Sequence, residues 1–207
     1  CSSSKNNSHS TASSTENNKE LTPVTLNEVA HAIFYAPQYT AIELGYFEEE
    51  GILLTLDTGF GADKTMTALI SENADIGFMG SEASIYTYKE GNEDFAINFA
   101  QLTQRAGNFL VSREQYESFS WSQLKGSTVI GGRKGGMPEM VFEYILKQHG
   151  MDPKTDLNIV QNIDFANTSG AFVSGEADYT VEFEPAATLI EEQGAGYVVA
   201  SVGKESG

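Results

Sequence analysis

Cysteine is all but absent from this 207-residue chain: there is one, at position 1. An internal disulfide and a cysteine-built metal cluster are therefore excluded. Histidine is scarce as well, with His9, His31 and His149 only. No GxSxG turn is present and no nucleophile has a base beside it in the pattern, so the chain does not read as an enzyme. No apolar run approaches the ~20 residues of a membrane-spanning helix. Basic residues are few, 12 Lys and Arg against 29 Asp and Glu, for a formal charge of −17. Such a surface repels nucleic acid and anionic headgroups, so no nucleic-acid partner is expected.

Apolar residues make up 40% of the chain, an ordinary globular share. That is enough for a core in one large or two small domains. Residues 1–22 stand apart, with seven Ser, three Thr and four Asn. Almost nothing in them is apolar, so they are expected to be a flexible tether. Lys5 and Lys19 cancel Glu16 and Glu20 there, which leaves the acidity to the remainder.

The stretch from Phe34 to Gly51, FYAPQYTAIELGYFEEEG, reads as a loop, a helix and a stop. Pro37 suits a first helical turn. Tyr39, Ile42, Leu44, Tyr46 and Phe47 give the helix an apolar side, and Gly45 and Gly51 loosen and end it. Val24–Val29 alternates like a strand, and Ile52–Leu56 is an apolar run of strand length. Together these predict a β-α-β unit. Ligands of open α/β sheets sit beyond the carboxyl ends of strands, and the loop there carries His31, Phe34, Tyr35 and Gln38.

Strand and helix patterns continue to alternate, which predicts a mostly parallel α/β architecture. Strands are expected at 23–29, 52–57, 75–79, 95–102, 108–112, 127–131, 157–161, 178–182 and 196–201. Helices are expected at 37–48, 62–72, 81–90, 137–149, 166–174 and 184–193. The rhythm breaks near residues 100–115, where two apolar segments follow each other with no helix between. This predicts a first lobe over 23–112, a link over 113–126 and a second lobe over 127–207. Nothing after Tyr197–Ser201 leads back to the first lobe, so that lobe is expected to lack a C-terminal return segment.

Four motifs in order resemble the substrate-binding proteins of ABC importers, in the group that binds aliphatic sulfonates, nitrate and thiamine-pyrimidine precursors. They are APQYTAIELGYFEEEG at Ala36–Gly51, ADIGFMGSEAS at Ala74–Ser84, the strand–glycine turn–helix of Leu124–Pro153, and GEADYTVEFEP at Gly175–Pro185. The resemblance runs from about residue 23 to the end. It implies a two-lobed type II periplasmic-binding-protein clamp, with the C-terminal part missing here. It also implies a small-molecule ligand and an importer permease as partners, a monomer, and an extracytoplasmic location. Cys1 followed by a Ser/Asn/Lys tether resembles a mature bacterial lipoprotein, which implies a lipid anchor on Cys1.

Several segments could contact the ligand. Gly131–Pro138 follows a strand and opens a helix, so Gly132, Gly135, Gly136 and Met137 could offer free N–H groups to it, or serve only as a tight turn. It matches neither GxxxxGK[ST] nor GxGxxG, so no nucleotide is expected. Gly80, Ser81 and Glu82 form the corresponding turn in the first lobe, with Ser81 suited to cap the helix. Alternation places Glu182 and Glu184 on one face with Phe183 opposite. A cleft carboxylate there would favour an amine or aminopyrimidine over a sulfonate or nitrate, and Asp164 and Phe165 could add an acidic and a stacking contact. Phe60 adds aromatic surface, and Gln104 and Asn108 could orient the ligand. Arg105 points the other way, since it could pair with an anion or hold a hinge carboxylate. His149 reads as a helix cap. No spacing supports a metal site on His31 with Glu82 or Glu182, and no cofactor is expected.

Overall fold

The computed structural model describes residues 20–91 and 93–207. Cys1, His9 and nearly all of the expected tether lie outside the described residues. The first sheet has three parallel strands: β1 (Thr22–Glu28) runs between β2 (Ile52–Thr58) and β3 (Ile76–Phe78). Its crossovers are α1 (Ala36–Glu43) with α2 (Tyr46–Glu49), and α3 (Ala62–Ile70), while α4 (Glu82–Lys89) follows β3. The helix expected over 37–48 is thus two pieces. It breaks at Gly45, whose φ of 74° lies in the left-handed region that only glycine enters without strain.

The second sheet has five strands in the order β6-β5-β7-β4-β8. These are β4 (Asn108–Ser112), β5 (Thr128–Ile130), β6 (Asn158–Val160), β7 (Tyr179–Phe183) and β8 (Tyr197–Ser201). β5 is parallel to β6 and β7, and β4 is antiparallel to β7 and β8. The strand expected at 108–112 therefore exists but belongs to this sheet, not with β1–β3. Around the sheet lie α5 (Met137–Gln148), α6 (Thr168–Ser174), α7 (Ala186–Glu192) and α8 (Val202–Glu205), the last not foreseen from sequence.

The large core sits in this second half. Phe142, Ile145 and Leu146 of α5 pack with Leu110, Leu124, Val129 and Val181 on one face of the sheet. On the other face, Phe172, Ala187 and Ile190 pack with Val111 and Ile130. Each such side chain, fully buried, contributes roughly 1.5–3 kcal/mol. His149 closes α5, with its ring stacked on Trp121 and Nε2 2.7 Å from Glu205.

The strand expected at 95–102 is not formed. Residues 95–103 have no regular structure, and Phe95, Ile97, Phe99 and Leu102 are exposed. Their alternation is real, but no described strand pairs with them. The segment is tied to α4 by Asn98 Nδ2 donating to Ser84 Oγ and by an edge-on contact of Phe95 with Tyr88.

Candidate functional site

The carboxyl ends of β1, β2 and β3 face those of β5, β6 and β7, and a narrow cleft lies between them. A small apolar cluster bridges it: Ala30 and Ala32 from the loop after β1 pack with Phe183 at the end of β7, flanked by Phe34 and Phe165. The Phe34 ring lies 6.1 Å from Phe183, and Phe165 meets Phe183 edge-on at 5.1 Å. Two backbone bonds also cross, from Ile33 N–H to the Glu184 carbonyl and from Phe165 N–H to the Phe60 carbonyl. Phe60 adopts a φ of 59°, unusual for a bulky residue and of the kind that collects at binding sites. A cavity of about 70 Å³ remains here, lined by His31, Phe60, Phe165, Glu182, Phe183 and Glu184 among others.

Beneath the first wall lies Glu28, fully buried at the end of β1. Its carboxylate accepts from Gln38 Nε2 at 3.0 Å, Tyr39 hydroxyl at 2.9 Å and Thr58 hydroxyl at 3.2 Å, and lies 2.8 Å from His31 Nδ1. A buried carboxylate with this many partners fixes the loop from His31 to Tyr39 in one arrangement. Tyr35 is buried between Phe34 and Phe78, and desolvation pushes its hydroxyl above the ordinary tyrosine range.

Across the cleft, Glu182 is also buried and accepts from the hydroxyls of Thr168 and Thr180, at 3.0 and 2.7 Å. Burial outweighs both bonds and pushes its pKa up to about 7. Glu184 accepts from the backbone N–H and hydroxyl of Thr188, both at 3.0 Å, and so closes the first turn of α7. The expected alternation does not hold. β7 ends at Phe183, and Glu182, Phe183 and Glu184 all line the cavity.

The glycine turn before α5 folds over its own helix. Gly135 N–H donates to Glu139 Oε2 at 3.2 Å, and Gly136 precedes the first turn, which Met137 opens. A Cβ on Gly132 would lie 3.6 Å from the Phe165 ring. The first-half turn differs from expectation in one respect: Ser81 makes no side-chain cap bond, and its carbonyl instead accepts from Ser84 Oγ. Glu82 and Asn108 are both buried; burial raises the Glu82 pKa against hydrogen bonds from the backbone N–H groups of Glu82 and Met137, and Asn108 Nδ2 has no hydrogen-bond partner among the described residues. Gln104 and Arg105 are exposed in the connecting segment and make no hydrogen bond or ion pair among the described residues.

At the rim, four charges cross between the halves. Arg133 binds Asp63 through two nitrogens and reaches Asp164 at 2.9 Å, and Lys64 reaches Asp164 at 2.6 Å. The guanidinium holds the Asp63 carboxyl below the usual carboxylate range. Neither this network nor the role of Glu28 was foreseen from sequence. Position at a strand's carboxyl end was the one signal that marked Glu28.

The family model described as "NMT1/THI5 like" matches residues 33–201. A Bacillus subtilis (strain 168) protein, YtlA, provisionally named a binding protein, is 54% identical over 187 residues. The match covers 90% of this chain and 56% of that protein, so the chain spans little more than half the length of its relative. Among solved structures, the alkanesulfonate-binding protein SsuA of Xanthomonas axonopodis pv. citri, bound to MOPS, aligns with a TM-score of 0.66 at 16% identity. That alignment covers 86% of this chain and 60% of that one. The nitrate-binding protein NrtA of Synechocystis PCC 6803 aligns with a TM-score of 0.66 at 18% identity, covering 87% and 51%. Both likenesses show the fold, the two-lobed α/β clamp of type II periplasmic binding proteins. With more than half its length matched by the family model, the chain belongs to the NMT1/THI5-like family.

Proposed function

We propose that this chain is the ligand-gripping part of an extracytoplasmic solute-binding protein that delivers a small molecule to an ABC importer. The observation that supports this best is the cleft itself. Two sheets present their strand ends to one another, and aromatic side chains from both halves meet between them. A ligand held there touches both halves, so it favours the closed state, and the importer permease recognises that state. The first lobe is built on β1–β3 with their helices, and the second on β4–β8 with theirs.

The ligand in this reading is a nitrogen heterocycle such as a thiamine-pyrimidine precursor, gripped by Phe34, Phe60, Phe165 and Phe183. A sulfonate, taurine or nitrate ligand is the second reading, favoured by the solved structures of similar fold. A synthase-like enzyme is the third, and the lack of a nucleophile–base pair in the sequence speaks against it. A lipid on Cys1 would tether the monomeric protein to the outer face of the cell membrane. The Ser/Asn-rich composition of residues 1–22 supports that.

The test is small-angle X-ray scattering of the full-length protein with hits from a thermal-shift screen of heterocycles, sulfonates and nitrate. The expected result is a smaller radius of gyration with one class of compound. Stabilisation by none of them, with unchanged scattering, would contradict the clamp.

A further inference from the structure

Residues 59–61 join β2 to α3 as a three-residue strap, and Phe60 at its centre lines the cavity between the halves. The φ of 59° at Phe60 is a conformation that a residue with a bulky side chain holds only at a cost in free energy. Gly59 and Gly61 flank it, so the backbone can turn on either side with little steric hindrance. A Cβ on Gly59 would fall 2.7 Å from Asn27 Oδ1 and 2.8 Å from Thr65 Oγ1, so the strap lies directly against both oxygens. Both side chains are buried, and neither oxygen has a hydrogen-bond partner among the described residues. Keeping two such groups covered without partners also costs free energy.

The supports that hold the strap down come from both halves. Gly59 N–H donates to the Glu28 carbonyl at 2.8 Å, within the first half. The Phe60 carbonyl accepts from Phe165 N–H at 3.3 Å, and Phe165 belongs to the second half. Gly61 meets the second half as well, since a Cβ there would fall 3.3 Å from the side chain of Arg133, which grips Asp63. When the halves part, the Phe165 and Arg133 supports leave together. The strained φ and the two covered oxygens then oppose the lowered position. Lifting relieves both, because Phe60 can return to negative φ and water reaches Asn27 and Thr65.

We propose that residues 59–61 are a gate, which lifts off Asn27 and Thr65 as the two halves part and is pressed over the cavity as they close. The inference rests on the clamp reading above. Lifting swings the Phe60 ring away from the cavity wall, so a ligand enters and leaves past this strap. Closure returns the ring against the bound molecule. The strap is thus a second two-state element, biased by the same contacts that bring the halves together.

The experiment is amide hydrogen exchange at residues 59–61, followed by NMR in the protein and in its Thr65→Val and Arg133→Ala variants. In the wild type these amides are expected to exchange about tenfold or more faster than those of β1, through local opening. Thr65→Val keeps the side-chain shape and removes the covered hydroxyl, so strap exchange is expected to slow about tenfold. Arg133→Ala removes a support from the second half, and strap exchange is expected to rise about twofold to fivefold. Wild-type exchange as slow as in β1 would show that the strap moves only with the sheet and overturn the proposal. Unchanged strap exchange in Thr65→Val would do the same. A larger radius of gyration in Arg133→Ala with unchanged strap exchange would overturn the link between gate and closure while leaving the clamp intact.

Discussion

Arg133 reaches from the glycine turn of the second half to Asp63 on the first turn of α3, gripping both carboxylate oxygens across the cleft. Asp164 and Lys64 complete the bridge. These groups are partly exposed, so solvent screens them and the pairing contributes about 0.5–1 kcal/mol to closure. Arg133→Ala is expected to enlarge the ligand-free radius of gyration at low ionic strength, measured by X-ray scattering. Raising salt toward 1 M, where the Debye length falls to about 3 Å, should open the wild type similarly and the variant, which keeps the Lys64–Asp164 pair, less. Equal salt dependence in both would show that the rim charges do not hold the halves together.

Glu28 is expected to matter more for stability than any other polar residue of the first half. Glu28→Ala strands the buried amide of Gln38 and the hydroxyls of Tyr39 and Thr58. The expected loss is roughly 3 kcal/mol in denaturant unfolding, with loop 31–39 losing hydrogen-exchange protection first. A loss below about 0.5 kcal/mol would mean that the carboxylate does not organise this wall.

Glu182 gives a pH signature. Its pKa is raised from 4.5 to about 7, chiefly by burial. A carboxyl raised on folding contributes stability that is fully present below the unfolded pKa and is lost as pH rises through the folded one. Stability should therefore decline between about pH 4.5 and pH 7, by roughly 3 kcal/mol for this group. Glu139, buried beside Glu143, is also pushed up to about 7 and adds a second decline over the same window. Glu182→Gln should thus reduce the slope without abolishing it. An unchanged slope would contradict the assignment.

Two glycines separate packing from backbone freedom. A Cβ on Gly107 would fall 2.5 Å from the Phe34 ring, so Gly107→Ala should push Phe34 off Phe183 and cost about 1–3 kcal/mol. Gly170 lies inside α6 with nothing within 4 Å of such a Cβ, and Gly170→Ala should add about 0.4–1 kcal/mol. Opposite shifts in Tm would confirm the pair, and a stabilised Gly107→Ala would contradict the placement of Phe34.

The alternation of strands and helices was legible because each β-α unit buries one face locally, and that period appears in the residues themselves. Phe95–Leu102 shows the limit of such reading. Its alternation has strand character, but a strand needs a neighbour, and a neighbour is a long-range fact. His31 and Gln38 were legible as polar residues in the right loop, while their bonds to Glu28 depend on where β1 ends. Arg133 stood in plain view within the glycine turn. Its partners are 31 and 70 residues away, beyond any local pattern.

The measurement that bears most directly on the central claim is a crystal structure of the full-length protein with the compound that stabilises it most in the thermal-shift screen. The predicted result is ligand density between Phe60 and Phe183, in contact with residues of both halves. Density outside the cleft, or touching one half alone, would contradict it.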